Sequence, residues 1–307
     1  MDKLNKDELF LIALHLDIPE LLNFCSTNTK IKNFCSRDSI WLHKLKDYPD
    51  FRIPGSYKHN YIVAYGLDIL KGQFNLPGSL TEIYNMDTLD LSYKYLGYIP
   101  KEVFLLVNLK KLYLRENEIQ VIPKEIGNLV NLEELDLFDS RIETLPEELG
   151  KLKKLNYLEL GNNLLEEVPA VIGELESLED LYLRDNLIQR ISPNIQKLKK
   201  LTTLDLSDNK LEYMPQEIGQ LTNLRELVLV RNRIKRLDIT GLTNLVTLNL
   251  RFNNLEEMPD GLTKLNNLEK LDVRSNPNLK ISKSLYHYFG EDMDGLFFDY
   301  DYSQIVR

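Results

Sequence analysis

Two stretches of this chain decide its fold: "LYLRENEIQVIP" at residues 112–123 and "LELGNNLLEEVP" at residues 158–169. Both carry Leu, Leu, Asn and Pro at the same offsets, although they are distant in the sequence. Alternating leucines place one side of a short strand in an apolar core, because successive side chains of a strand point to opposite faces. An Asn at a fixed distance behind such a strand therefore needs a structural reason.

The leucine pair recurs along most of the chain. Its second member stands at Leu91, Leu114, Leu137, Leu160, Leu183, Leu206, Leu229, Leu250 and, replaced by valine, Val273. The spacing is 23 residues six times in succession, then 21, then 23. A fixed period of this length is typical of repeat proteins, in which stacked coils bury each other's apolar side chains. The sequence therefore predicts about nine coils over residues 80–280.

The Asn lies three residues after the second leucine in seven of the nine coils, and the exceptions are Lys94 and Ser140. The chain must turn inward there, and a buried amide or carbonyl left unpaired costs about 1–3 kcal/mol. An Asn side chain offers both donors and an acceptor, so we predict a ladder that bonds the turns of its own and neighbouring coils. Ser140 is expected to replace part of this bonding.

Proline and glycine mark the outer side of each coil. Proline, which lacks an amide hydrogen, is predicted to begin the outer segment without leaving a donor unpaired; it occupies Pro100, Pro123, Pro146, Pro169, Pro215 and Pro259. Gly127, Gly150, Gly173 and Gly219 are expected to let the chain bend back toward the next strand. The seventh coil, from Leu229, lacks the proline and is shorter, which predicts a tighter outer segment.

Segments such as "LPEELGKLKKLNYLEL" (residues 145–160) resemble the 23-residue class of leucine-rich repeats across residues 80–280. The resemblance implies an α/β fold: a solenoid of about nine repeats with a parallel sheet on its concave side and short helices or extended turns outside. Residues 281–307 are predicted to form a C-terminal cap. The alternative for them is a docking peptide, given the acidic and aromatic "FFDYDY" at residues 297–302.

Residues 1–50 lack the repeat and carry apolar side chains at helical spacing, which predicts three or four short helices. Their order, with "CSTN" at residues 25–28 and a later helix that carries Trp41, resembles the divergent F-box domains of giant-virus and protist proteins. Residues 51–79 are predicted to be a helical linker and N-terminal cap of the repeats.

The F-box resemblance implies a small all-α domain that binds a Skp-type adaptor of a cullin ubiquitin ligase. The matching apolar positions are Leu9, Ile12, Leu16, Leu21, Leu22 and Trp41. The alternative is that these side chains only build a helical cap for the solenoid.

Composition bounds the function. The chain has 307 residues with a net charge of −9 and no basic block, which disfavours nucleic-acid binding. The apolar run at residues 10–14 is too short to span a bilayer. With only Cys25 and Cys35 the chain is predicted to occupy a reducing compartment, the cytoplasm, or the host cytoplasm if viral. No phosphate loop, nucleophile motif or metal-ligand spacing is present, so we expect no catalysis, cofactor or metal.

The side chains beside each strand leucine should face the concave surface. Tyr, Phe and Arg side chains dominate binding energy at protein interfaces. We therefore predict a partner-binding site on this surface, formed by Tyr113, Arg115, Phe138, Tyr157, Tyr182, Arg184, Val228 and Val230. The carboxylates among them, Asp136, Glu159, Asp180 and Asp205, are interpreted as solvated surface. Paired acid–base catalysis by Asp136 and Glu159 is a distant alternative, because an open surface should not raise a carboxyl pKa.

The sequence therefore predicts a non-enzymatic adaptor that holds a protein substrate on its concave face and recruits it to a ubiquitin ligase through the F-box-like segment. The alternative is an interaction scaffold, for example in a small-GTPase pathway, whose N-terminal segment is only a cap.

Overall fold

The structure is a computed structural model that describes residues 5–16, 18–27, 29–282, 296–297 and 305–306. The chain divides into two compact units. The first comprises Met1–Met86 and Pro100–Leu106, and the second comprises Asp87–Ile99 and Val107–Arg307.

The first unit is helical in its described residues. Its helices are α1 (Lys6–His15), α2 (Ile18–Ser26), α3 (Thr29–Cys35), α4 (Asp38–Lys44), α5 (Tyr57–Phe74) and α6 (Leu80–Tyr84), with 3₁₀ turns at Leu45–Asp47 and Lys101–Leu105. Polar side chains cap the later helices: the Ser56 side chain accepts a hydrogen bond from the His59 amide at the start of α5, and Ser79 forms a capping box with Glu82 at α6. The prediction of several short N-terminal helices is confirmed.

The two cysteines lie in this helical unit and are bonded to each other. Cys25 of α2 and Cys35 of α3 form a disulfide with an S–S distance of 2.06 Å. Disulfides persist mainly in oxidising environments. The interpretation of this pair as a sign of a reducing compartment is therefore wrong.

The second unit is built on one parallel sheet with a short strand in each coil. The strands are β1 (Thr88–Asp90), β2 (Lys111–Tyr113), β3 (Glu134–Asp136), β4 (Tyr157–Glu159), β5 (Asp180–Tyr182), β6 (Thr203–Asp205), β7 (Glu226–Val228), β8 (Thr247–Asn249) and β9 (Lys270–Asp272). A tenth strand, β10 (Leu296–Phe297), pairs with β9. Two shorter parallel pairs lie outside this sheet, Glu167–Val168 with Arg190–Ile191 and Ile281–Ser282 with Ile305–Val306. The predicted solenoid of nine coils is confirmed.

The register of the sheet repeats the sequence period. Leu112 pairs with Leu135, which pairs with Leu158, so that equivalent residues of successive coils lie side by side. These leucines are fully buried, and they stack into one continuous apolar core. Because a buried leucine side chain contributes about 1.5–3 kcal/mol, mutual burial between coils is the main stabilising term of the array.

The Asn ladder is present as predicted. Nδ2 of Asn163 donates to the carbonyl oxygens of Leu160 and Gly161 in its own coil, and to that of Leu137 in the preceding coil, at 2.9–3.1 Å. Its Oδ1 accepts the amide hydrogen of Ile142, also in the preceding coil, at 3.0 Å. Equivalent bonds are made by Asn117, Asn186, Asn209, Asn232, Asn253 and Asn276.

Ser140 interrupts the ladder. Its side chain is buried, and its Oγ has no hydrogen-bond partner in the described part of the chain. The expectation that Ser140 replaces part of the Asn bonding is therefore wrong, because the shorter hydroxyl does not reach the partners that an amide reaches. This coil carries an unpaired buried polar group, which costs free energy.

In coils one to six and in coil eight the outer segments are 3₁₀ turns, and most of these begin directly after the predicted prolines. Pro123, Pro146, Pro169 and Pro215 each precede such a turn. In the seventh coil the described residues between Leu229 and Thr247 form no 3₁₀ turn, as its shorter length requires.

The repeat glycines act through their lack of a side chain. A Cβ at Gly173 would lie 2.3 Å from the carbonyl oxygen of Asn194, and one at Gly127 would lie 2.9 Å from that of Glu148. None of these repeat glycines has a positive φ. The expectation of a bend is thus corrected for Gly127, Gly150 and Gly173, which allow the outer segments of adjacent coils to approach closely.

We predict that Ser140→Asn stabilises the protein by completing the ladder. The new amide is expected to reach the carbonyls of Leu114 and Leu137, and each hydrogen bond contributes about 0.5–1.5 kcal/mol. Thermal unfolding should show a melting temperature higher by about 2–4 °C per kcal/mol gained. The reverse change two coils later, Asn186→Ser, is the matched control and should lower it. A Ser140→Asn variant that melts at or below the wild-type temperature contradicts this account.

Candidate protein-binding surface

The concave face, meaning the solvent side of the main sheet, is formed by the side chains next to each buried strand leucine. In β2, β4 and β5 the central leucine is buried while its two neighbours are partly exposed. All eight residues predicted to bind a partner lie on this face, and each is half-buried except Arg184, which is exposed.

Three of the predicted residues form one stacked cluster. The guanidinium of Arg115 lies 4.9 Å from the ring centre of Phe138, and that of Arg184 lies 5.3 Å from it. Arg115 also forms a 3.5 Å ion pair with Asp136. Cation–π contacts of this kind hold both arginines in place before a partner arrives.

Gly161 makes this stack possible. A Cβ at that position would lie 3.1 Å from Phe138 Cδ2, 3.1 Å from Arg184 Cγ and 2.8 Å from a carboxylate oxygen of Glu159. Gly161 therefore leaves a notch in the fourth coil across which Arg184 of the fifth coil reaches Phe138 of the third. The sequence analysis did not identify Gly161 as functional, although it is the one glycine in its column of the repeat.

The tyrosines occupy the strands beside this stack. The rings of Tyr157 and Tyr182, on adjacent strands, have centres 5.5 Å apart. The Tyr113 hydroxyl lies 2.6 Å from a Glu134 oxygen, and the same carboxylate pairs with Lys111 at 2.8 Å. Burial raises the pKa of Tyr157 well above its ordinary value.

The carboxylates of this face differ from the expected solvated surface. Asp136 is 95% shielded from solvent, with a relative exposure of 5%. Burial raises the pKa of Glu159 to about 7, and the neighbouring charge of Asp136 adds to that rise. The Gly161 amide, which donates to Glu159 at 2.7 Å, and the two arginines act in the opposite direction. The assumption that an open surface leaves these carboxyl pKa values unchanged is wrong.

A second stack lies in coils seven and eight. Phe252 is held between Arg231, at 5.3 Å, and Arg251, at 4.5 Å. Val228 and Val230 are half-buried beside it in the seventh coil. This stack was not predicted, because Phe252 lies outside the two columns next to the strand leucine. Phe252 stands one position further, where most other coils carry a polar residue.

The residues predicted to bind an adaptor separate into two groups. Leu9, Leu21 and Trp41 are at most 1% exposed and belong to the core of the helical unit. These three are core residues and are not available to contact a partner. Ile12 and Leu22 are 36% and 38% exposed, and Leu16 is partly buried. The exposed side chains Leu11 and Leu42 were not predicted.

The described residues offer neither a metal site nor a membrane-spanning helix. Among the described residues no group of three His, Cys, Asp or Glu side chains is arranged to hold a metal ion. No described helix combines the length and apolar composition that crossing a membrane requires.

Comparison with protein families agrees with this geometry. Residues 88–204 match a leucine-rich repeat region, and residues 176–234 and 244–265 match further leucine-rich repeat models. None of the curated protein sequences compared with this chain matches it significantly.

Several solved structures are similar to the chain. A leucine-rich repeat protein of Leptospira interrogans is 30% identical with a TM-score of 0.57, over 67% of this chain and 70% of that one. A plant peptide hormone receptor, RGFR1, in complex with RGF2 is 31% identical with a TM-score of 0.52, over 60% of this chain and 33% of the receptor. The ectodomain of the Arabidopsis thaliana receptor kinase GASSHO1/SCHENGEN3, in complex with CASPARIAN STRIP INTEGRITY FACTOR 2, is 26% identical with a TM-score of 0.59, over 72% and 27%.

We predict that Glu159 makes stability fall as pH rises. Its pKa is about 7 in the folded chain against an ordinary value of 4.5. Between these values the folded state binds more protons at this group than the unfolded state does, so folding is progressively disfavoured as pH increases from about 4.5 to 7.

Glu159→Gln removes this dependence while keeping an oxygen for the Gly161 amide. The melting temperature of the variant, measured by circular dichroism, should exceed that of the wild type by more at pH 8 than at pH 5. Glu118→Gln, an exposed change, is the control and should show no such difference. An equal gain for Glu159→Gln at both pH values contradicts the assignment.

Proposed function

This chain belongs to the leucine-rich repeat family, and we propose that it works by binding a protein partner on its concave face. The observation that carries the proposal is the preorganised cluster of Arg115, Phe138 and Arg184 across the notch at Gly161, with Tyr157 and Tyr182 beside it. Rigid aromatic and arginine side chains lose little conformational entropy on binding, which is why they dominate interface energy.

The size and openness of the face support a macromolecular partner. Nine strands spaced about 4.8 Å apart give a surface of roughly 38 Å, a length that suits a polypeptide better than a metabolite. The two plant receptors with similar folds were solved in complex with RGF2 and with CASPARIAN STRIP INTEGRITY FACTOR 2. Binding without catalysis is the role that we assign to this face.

We expect the concave tyrosine pair to be required for partner capture. The tagged wild-type protein and the Tyr157→Ala/Tyr182→Ala double variant would be used to capture partners from an extract of the source cells, with quantification by mass spectrometry. The affinity for a specific partner should fall at least tenfold, which corresponds to about 1.4 kcal/mol, because two aromatic side chains of the binding surface are removed.

Tyr213→Ala is the matched control, since Tyr213 is 63% exposed and lies outside the strands of the main sheet. Its capture profile should equal that of wild type, and the melting temperatures of all proteins should be compared. If the double variant folds normally and captures every partner of the wild type, the binding site is not on this face.

The second part of the proposal concerns the helical unit. Its F-box-like segment docks a Skp-type adaptor, so that the concave face presents a substrate to a cullin ubiquitin ligase. The supporting observation is that Ile12 of α1 and Leu22 of α2 are exposed although apolar, as are Leu11 and Leu42. If this unit were only a cap, the protein would be an interaction scaffold; the adaptor experiment separates the two.

The adaptor role predicts that Ile12→Asp/Leu22→Asp abolishes binding of a purified Skp-type adaptor to the full chain. Charges placed on an apolar docking surface are desolvated on binding, which costs several kcal/mol. Isothermal titration calorimetry measures the loss. Asn23→Asp, which adds a charge at an exposed position of α2, is the control and should bind normally. If the adaptor does not bind the wild-type protein, the adaptor role is wrong and the protein is an interaction scaffold.

A further inference from the structure

Two arginines of the concave face hold fixed positions without an ion-pair partner. Arg184 is stacked on Phe138 and Arg251 on Phe252. In the described residues neither forms a salt bridge, whereas Arg115, Arg231 and Arg274 pair with Asp136, Asp208 and Asp272. Nε of Arg251 is buried and lacks a hydrogen-bond partner in the same residues. A stacked guanidinium keeps its edge donors free for a planar anion.

The two arginines occupy equivalent positions of the fifth and eighth coils, two residues after β5 and β8. Their Cα atoms are three strand spacings apart, which is about 14 Å at roughly 4.8 Å per spacing. The intervening equivalents are Ser207 and Val230, which are uncharged. From the fifth to the eighth coil, this column therefore carries a cationic, a small polar, an apolar and a second cationic side chain.

An extended polypeptide matches this column. It advances about 3.4 Å per residue, so that four residues span about 14 Å, and side chains at i, i+2 and i+4 face the same way. We propose that the concave face binds an extended segment of its protein partner with acidic side chains at i and i+4, held by Arg184 and Arg251, and an apolar side chain at i+2 that lies midway between them, over the space between Ser207 and Val230. The inference rests on the proposed function of this face and specifies its ligand.

The carboxylates near this column already accept hydrogen bonds or ion pairs. Glu159, whose charged form Arg184 favours, accepts a hydrogen bond from the Gly161 amide at 2.7 Å, and Asp272, which Arg251 also affects, pairs with Arg274. Asp205 accepts hydrogen bonds from the amide and hydroxyl of Ser207, at 2.9 and 2.6 Å. Asp208 is paired with Arg231 at 3.5 Å. Their hydrogen bonds and ion pairs reduce the repulsion that an incoming acid would meet, and they leave Arg184 and Arg251 as the cations that the ligand neutralises.

The test uses the full chain and a fluorescein-labelled nine-residue peptide of Gly and Ser with Glu at positions 3 and 7 and Leu at position 5. Control peptides place the second Glu at position 6, or replace both Glu by Lys. A fourth peptide carries phosphoserine in place of both Glu, because a guanidinium also binds phosphate; it shows which anion is preferred. Binding is measured by fluorescence anisotropy at low salt, where charge pairing is least screened.

The i, i+4 peptide, with Glu or with phosphoserine, should bind at least tenfold more tightly than the i, i+3 and Lys peptides. Arg184→Gln and Arg251→Gln should each weaken its binding about tenfold or more, since each change removes a charge-assisted hydrogen bond to one Glu. Arg190→Gln, an exposed arginine outside the main sheet, is the matched control and should bind as wild type.

Equal binding of the two spacings, wild-type affinity in both arginine variants, or no binding of any anionic peptide would overturn the inference. The failure of the proposed function is distinguishable from this result. Partner capture could still depend on Tyr157 and Tyr182 while the affinity for the anionic peptides is unchanged in the Arg184 and Arg251 variants. In that case the proposed function stands and only the proposed acidic ligand is wrong.

Discussion

The hydrogen bonds between each ladder Asn and the preceding coil are the constraint on which the array depends. Asn163, for example, satisfies the carbonyl of Leu137 and the amide of Ile142 in the coil before it as well as carbonyls of its own coil. A turn that buries its backbone amide and carbonyl groups is stable only when those groups are hydrogen-bonded. Because each Asn needs a neighbouring coil in register, the ladder fixes both the spacing and the alignment of the stack.

The concave face inherits its order from that register. Once equivalent residues lie side by side, a difference between coils becomes a feature of the surface. A single glycine at position 161 opens a notch over which residues two coils apart meet, and an aromatic residue at position 252 creates a second arginine stack. The proposed binding surface thus comes from deviations from the repeat, whereas the stability of the array depends on the repeat itself.

The helical unit follows different rules. Its core gathers Leu9, Leu21, Ile40 and Trp41 around the Cys25–Cys35 disulfide, while Ile12 and Leu22 remain outside. Adjacent leucines of one helix, such as Leu21 and Leu22, therefore have opposite roles, because neighbouring positions of a helix point about 100° apart. The proposed adaptor docking depends on the apolar side chains that are left exposed in this way.

The sequence alone determined the coil number, the strand positions and the Asn ladder, because period and alternation encode which side chains are buried. It also placed Tyr157, Tyr182 and Arg184 on one face. It did not reveal that Ser140 leaves its hydroxyl unpaired, that the repeat glycines serve close approach, or that burial raises the pKa of Glu159. Those properties depend on distances between residues far apart in the chain. The tertiary structure alone decided them, since stacking brings such residues within a few ångströms.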